Sequence, residues 1–209
     1  MSEQATLHEP WTEAGRQRLA YDFGIWVFLA TEVMFFGGLF VGYAVCRHLH
    51  QAGFAAAGRD VSFVFGTANT VFLMTSSLTM ALAERAAAAE RQPLARWMMA
   101  ATLALGSAFL VAKGFEYRED FEKHLVPGPG FAVAQAGAQL FFAFYWVMTG
   151  IHGLHVIAGL TLIGRLLVFA VRRDLPRHEA SVRTTTLFWH LIDVIWVILY
   201  PILYLVGRS

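Results

Sequence analysis

The chain has 209 residues, 57% of them hydrophobic and only 15% charged, with a mean hydropathy of +0.52. Soluble domains run about half apolar and about a quarter charged, so this composition belongs in a bilayer and excludes a disordered chain or a disulfide-stapled miniprotein. A net charge of +1 without a basic run excludes a nucleic-acid binder, and the lone Cys46 allows no internal disulfide or thiolate cluster.

In chain order, residues 1–20 read as a polar cytoplasmic tail, without the short apolar stretch and small-residue exit of a cleavable signal peptide. A spanning helix needs about 20 mostly apolar residues. Five segments qualify, at about 24–45, 61–83, 97–112, 140–171 and 187–206. The expected architecture is therefore an all-α integral membrane protein, a bundle of five transmembrane helices over 21–209. The fourth span is roughly 48 Å long at a rise of about 1.5 Å per residue. That exceeds a ~30 Å hydrocarbon core, so it must tilt or protrude. The connections at 46–60, 84–96, 113–139 and 172–186 are too short to be domains. Pro127-Gly128-Pro129-Gly130 reads as a turn in the third.

Orientation follows from the basic residues flanking the spans. With the N-terminus inside, nine face the cytoplasm: Arg16, Arg18, Arg85, Arg91, Arg96, Arg172, Arg173, Arg177 and Arg183. Six face outward: Arg47, Arg59, Lys113, Arg118, Lys123 and Arg208. The expected placement is N-terminus cytoplasmic and C-terminus outside. The acidic run Glu116, Glu119, Asp120 and Glu122 then reads as an outer loop. Such a surface either helps to dock a basic protein partner by long-range attraction or is a solvated loop capping the third span.

The informative residues are the polar ones that hydrocarbon should exclude. Glu32 lies about 12 Å into span one, from the helix rise, and Asp193 lies at a similar depth in span five. His152 and His155 share a face of span four, and His190 is one turn before Asp193. A mid-membrane carboxylate costs at least ~2.5–3.5 kcal/mol on insertion scales, so it must be protonated, paired or facing a cavity. Glu32 has two readings, a structural hydrogen bond or a part in proton or lipid traffic. It is expected to be neutral and hydrogen-bonded, with His155 the leading partner and lipid or water the alternative.

The i, i+3 histidines His152 and His155 either begin a metal site or make interhelical hydrogen bonds. No helix-borne carboxylate accompanies them in the Glu-x-x-His arrangement of di-iron bundles, which favours the second reading. His190 and Asp193 orient each other or a neighbouring helix. Thr67, Asn69, Thr70, Ser76, Ser77 and Thr79 in span two read as glue between helices. Trp26 reads as a belt or core aromatic.

These residues carry a resemblance. Thr31-Glu32-Val33-Met34-Phe35-Phe36 resembles the acidic signature of subunit III of haem-copper terminal oxidases. Asn69-Thr70 with Ser76-Ser77, Glu116-Tyr117, Thr149-Gly150-Ile151-His152-Gly153-Leu154-His155-Val156 and Trp189-His190-Leu191-Ile192-Asp193-Val194-Ile195-Trp196 follow in the family's order. The match covers about residues 24–204. Only the polar tail precedes span one here, which is similar to the short five-helix bacterial form and lacks the two leading helices of the mitochondrial type.

The resemblance implies a non-catalytic subunit of a proton-pumping oxidase that reduces oxygen to water in aerobic respiration at the bacterial plasma membrane. No cofactor is expected on this chain. Haem and copper belong to partners, a haem-bearing subunit I and a copper-bearing or quinol-related subunit II. Structural phospholipid is expected, with Trp26, Arg172 and Arg173 as candidate contacts, since snorkelling cations meet headgroups. Glu32 matches the family's carbodiimide-reactive carboxylate. The alternatives are subunit III of a quinol oxidase or an accessory protein of nitric oxide reductase. A proton channel or secondary transporter is the competing class, although neither an internal repeat nor broken helices are evident.

Overall fold

A computed structural model of the chain describes residues 14–172, 174–175 and 179–205. Arg173 and the first thirteen residues of the tail lie outside them. The described residues form six helices: α1 Ala14–Leu49, α2 Gln51–Asp60, α3 Phe63–Ala88, α4 Gln92–Glu122, α5 Ala138–Val171 and α6 Glu179–Tyr204. Five contain stretches long and apolar enough to cross a membrane, Phe23–Leu49, Phe63–Ala88, Gln92–Glu122, Ala138–Val171 and Ala180–Tyr204. The molecule is an all-α, multi-pass membrane bundle, as its hydropathy dictates.

Two elements depart from the sequence reading. The first connection contains α2, which lies on the start of α5. Gly53 makes this possible, because a Cβ there would stand 2.9 Å from the Ala138 nitrogen. The larger correction concerns α4. It starts with Pro93 in its first turn, where a missing N–H does no harm, and it runs on to Glu122. The supposed acidic loop is thus the final turns of a helix. Lys113, Glu116 and Asp120 sit at i, i+3 and i+7, on one stripe that the helix turns inward. The chain then turns through Gly130 with φ of 90°, a left-handed conformation that glycine adopts without strain.

α6 is the most enclosed span and α1 the least. α1 rests on α5 and α6 at the rim. α3 and α6 are joined by an antiparallel ladder of side chains. Thr67 Oγ1 meets the Tyr200 hydroxyl at 2.9 Å, and Trp196 Nε1 donates to Thr70 Oγ1 at 3.1 Å. Trp189 Nε1 donates to Ser76 Oγ at 3.2 Å, and Ser77 Oγ meets His190 Nδ1 at 2.8 Å. Thr67, Thr70, Ser76 and Ser77 of the polar stripe are thereby interhelical glue, and Thr79 meets Thr102 of α4 at 2.8 Å, whereas Asn69 makes no such bond. Between α4 and α5 the Trp189 indole slots against two glycines. A Cβ at Gly106 would be 2.9 Å from its Cη2, and one at Gly159 would be 2.7 Å from its Cε3.

Candidate functional site

Glu32 projects from α1 toward α5, where its Oε2 comes 3.0 Å from His155 Nε2. The distance is that of an ion pair, although Oε2 lacks an aligned hydrogen-bond donor. The other ring nitrogen, Nδ1, donates to the Ile151 carbonyl at 2.8 Å. A carbonyl only accepts, so this contact holds a hydrogen on Nδ1 and turns Nε2 toward Glu32. Phe36, one turn along α1, packs edge-on against the His155 ring with centroids 5.6 Å apart. Glu32 and His155 remain 17% and 22% exposed, which puts the pair at the rim of the bundle. The pairing also shows that both residues stand at one level.

His152 does not join them. It is fully buried, with its ring centroid 5.1 Å from Trp196 and 5.6 Å from Phe109. Neither of its nitrogens has a partner. His190 bonds to the neighbouring α3 through Ser77 and not to Asp193. The Asp193 carboxyl is buried beside Ser77, and the Asn69 amide is buried without a partner. Among the described residues no three His, Cys, Asp or Glu side chains converge into a metal's first shell.

The acidic run divides in two. Glu119 and Glu122 stand on the surface and pair with Lys123 at 2.6 Å and Arg118 at 2.9 Å, each one helical turn away. The hydrogen bond that Lys123 donates to Glu119 holds its ammonium above its usual range. Exposed pairs of this kind contribute only about 0–1 kcal/mol. Glu116 and Asp120 face the interior and are 0% and 2% exposed.

There they meet residues that sequence reasoning missed. Lys113 Nζ donates to Glu116 Oε2 at 2.9 Å, to the Tyr145 hydroxyl at 2.9 Å and to the Tyr204 hydroxyl at 2.7 Å. Tyr145 also contacts Glu116 Oε1 at 2.9 Å and Asp120 Oδ2 at 2.8 Å, and Tyr204 donates to Glu116 Oε2 at 3.1 Å. Tyr117 stands beside this cluster, its hydroxyl 2.7 Å from Thr149 Oγ1. The signal for Lys113 was its helical spacing from Glu116 and Asp120. Nothing in the sequence marked Tyr145 or Tyr204. Trp26 is exposed, as is Arg172 at the end of α5.

The bundle and its buried polar groups define a class, a multi-pass helical membrane protein whose intramembrane carboxylates are held by histidine, lysine and tyrosine. The chain belongs to the cytochrome c oxidase subunit III family, whose profile matches residues 1–208. It is 33% identical over 191 residues to cytochrome c oxidase subunit 3 of Thermostichus vulcanus, covering 88% of this chain and 87% of that one. It is 32% identical over 189 residues to cytochrome bo(3) ubiquinol oxidase subunit 3 of Pseudomonas aeruginosa, covering 88% and 84%. It is also 28% identical to the haem-copper oxidase subunit I+III of Aeropyrum pernix, where 87% of this chain matches 22% of the longer one. The role that fits is subunit III of a haem-copper oxidase, a member of a multi-subunit redox complex.

Proposed function

We propose that this chain is a non-catalytic partner in an oxygen-reducing, proton-pumping terminal oxidase of aerobic respiration, with haem and copper held by other subunits. Its neighbour is the haem-bearing subunit I. The observation that carries this is the Aeropyrum pernix relative, whose name joins subunits I and III in one polypeptide. A copper-bearing or quinol-related subunit II completes the assembly. Relatives named for cytochrome c and for ubiquinol are almost equally similar to this chain, so the electron donor is set elsewhere.

In this reading the N-terminus is cytoplasmic and the C-terminus lies outside the bacterial plasma membrane. Burial of Lys113 supports it. Removed from the outer connection, Lys113 leaves five basic residues outside against nine inside. The Glu32–His155 pair ties the rim helix α1 to α5, beside a surface for phospholipid acyl chains. Trp26, Arg172 and Arg173 supply the contacts near the headgroups.

Affinity capture of the tagged chain from membranes tests the assembly. Haem-bearing subunits should co-purify, and the chain separated from them should retain no stoichiometric haem, copper or iron. One equivalent of metal held by the separated chain after mild chelation would overturn the non-catalytic reading.

A further inference from the structure

The Lys113 cluster holds more hydrogen-bond contacts than its amine and phenols have hydrogens. Six contacts bind it: three from Lys113 Nζ, two between Tyr145 and the carboxylates of Glu116 and Asp120, and one from Tyr204 to Glu116. Each needs a hydrogen between its heavy atoms. An ammonium carries three and each phenol one, so Lys113, Tyr145 and Tyr204 cover five of the six. With both carboxyls ionised, the single Tyr145 hydrogen would have to serve Glu116 at 2.9 Å and Asp120 at 2.8 Å at once. One of these contacts would then set two lone-pair oxygens face to face.

We infer that the cluster is a proton-binding site, in which a proton carried by the Asp120 carboxyl is donated to the Tyr145 hydroxyl. Tyr145 then passes its own hydrogen to Glu116, and every contact is filled. Asp120 is the bearer because Glu116 already touches the Lys113 ammonium and accepts from both phenols, whereas Asp120 meets only the Tyr145 hydroxyl among these groups. The charge balance agrees. Lys113 and Glu116 cancel, whereas an ionised Asp120 would leave a buried negative charge without a counterion.

The groups facing the proton are Lys113, Glu116 and Tyr117 on α4, Tyr145 on α5 and Tyr204 on α6. Lys123, just beyond α4, adds its field. Asp120 lies in the last turns of α4, so its proton can leave to water at that end of the bundle. This site is separate from the Glu32–His155 pair and does not depend on the proposed role in an oxidase.

Infrared spectroscopy of the full chain in lipid nanodiscs tests the assignment. At mildly acidic pH the wild type should show a deuterium-sensitive C=O stretch of a protonated carboxyl that is missing in Asp120→Asn. Identical carboxyl regions in the two proteins would overturn the inference. Asp120→Asn places an amide N–H where the sixth hydrogen lies, so it should unfold near the wild-type temperature at mildly acidic pH. It should also resist alkali better, whereas Asp120→Ala should be destabilised throughout. Equal damage from Asn and Ala would count against a proton. Should both variants fold poorly, Tyr145→Phe gives an independent reading. It removes the acceptor, so the carboxyl band should shift to higher frequency, and an unmoved band would refute the assignment.

Discussion

Glu32 on α1 and His155 on α5 meet side chain to side chain, 3.0 Å apart, across the contact that holds the least enclosed span to the bundle. Because the His155 Nδ1 hydrogen is committed to the Ile151 carbonyl, Nε2 is the only ring atom free to answer the carboxyl.

The first prediction concerns that contact. Glu32→Gln keeps the shape and an amide donor for Nε2, so assembly, turnover and proton pumping should stay at wild-type levels. Glu32→Leu removes the polar partner and should loosen the subunit, seen as lower recovery in the purified complex. A reduced proton-to-electron ratio in a fully assembled Glu32→Gln enzyme would show that Glu32 moves protons.

Chemical labelling gives a second check. A hydrophobic carbodiimide partitions into lipid and reaches carboxyls at the rim of the bundle. Peptide mapping should find the adduct on Glu32 and not on the surface pairs Glu119 and Glu122. Labelling of those two at the same rate would contradict the placement of Glu32.

Packing around Trp189 is tight enough to be tested by addition. Gly159→Leu forces a side chain into the indole, where even a Cβ would come within 2.7 Å. Overpacking of this kind costs about 1–3 kcal/mol. Thermal unfolding in detergent should fall clearly for Gly159→Leu and stay near wild type for Gly164→Ala, where a Cβ meets open space.

The α3–α6 ladder should yield small, separable losses. Interhelical hydrogen bonds in membranes are worth about 0.6 kcal/mol each, so Thr70→Ala and Ser76→Ala should each lower the unfolding temperature slightly. In Trp196→Phe the further effect of Thr70→Ala should vanish. Full additivity in that double-mutant cycle would mean the bond to Trp196 Nε1 contributes nothing.

The acidic surface can be tested at two residues. Only Glu119 and Glu122 are available to a partner, and each is already paired with its own neighbour. Neutralising both should leave the salt dependence of turnover with cytochrome c unchanged. A flattened salt profile would reveal docking at this face.

The spans and the all-α class were legible in the sequence because hydrocarbon imposes a one-dimensional rule, about 20 apolar residues for each crossing. The rim carboxylate was legible for the same reason, since Glu32 stands out wherever charge is expensive. The end of α4 was not. A count of apolar residues stops at Ala112 when the helix turns polar, and it cannot know that Lys113, Glu116 and Asp120 find partners inside the bundle. Those partners, Tyr145 and Tyr204, lie 32 and 91 residues from Lys113 along the chain, and aromatic residues in apolar helices carry no mark of their hydroxyls' company. The separation of His152 from His155 was hidden too. Helical spacing places both histidines on one side of α5, but that side is shared between two neighbours. One histidine lies among Phe109 and Trp196 and the other faces α1. The sequence by itself determined which residues enter the membrane. The tertiary structure decided which polar groups meet there, because each pairing depends on the rotation and register of helices that are joined only by distant contacts.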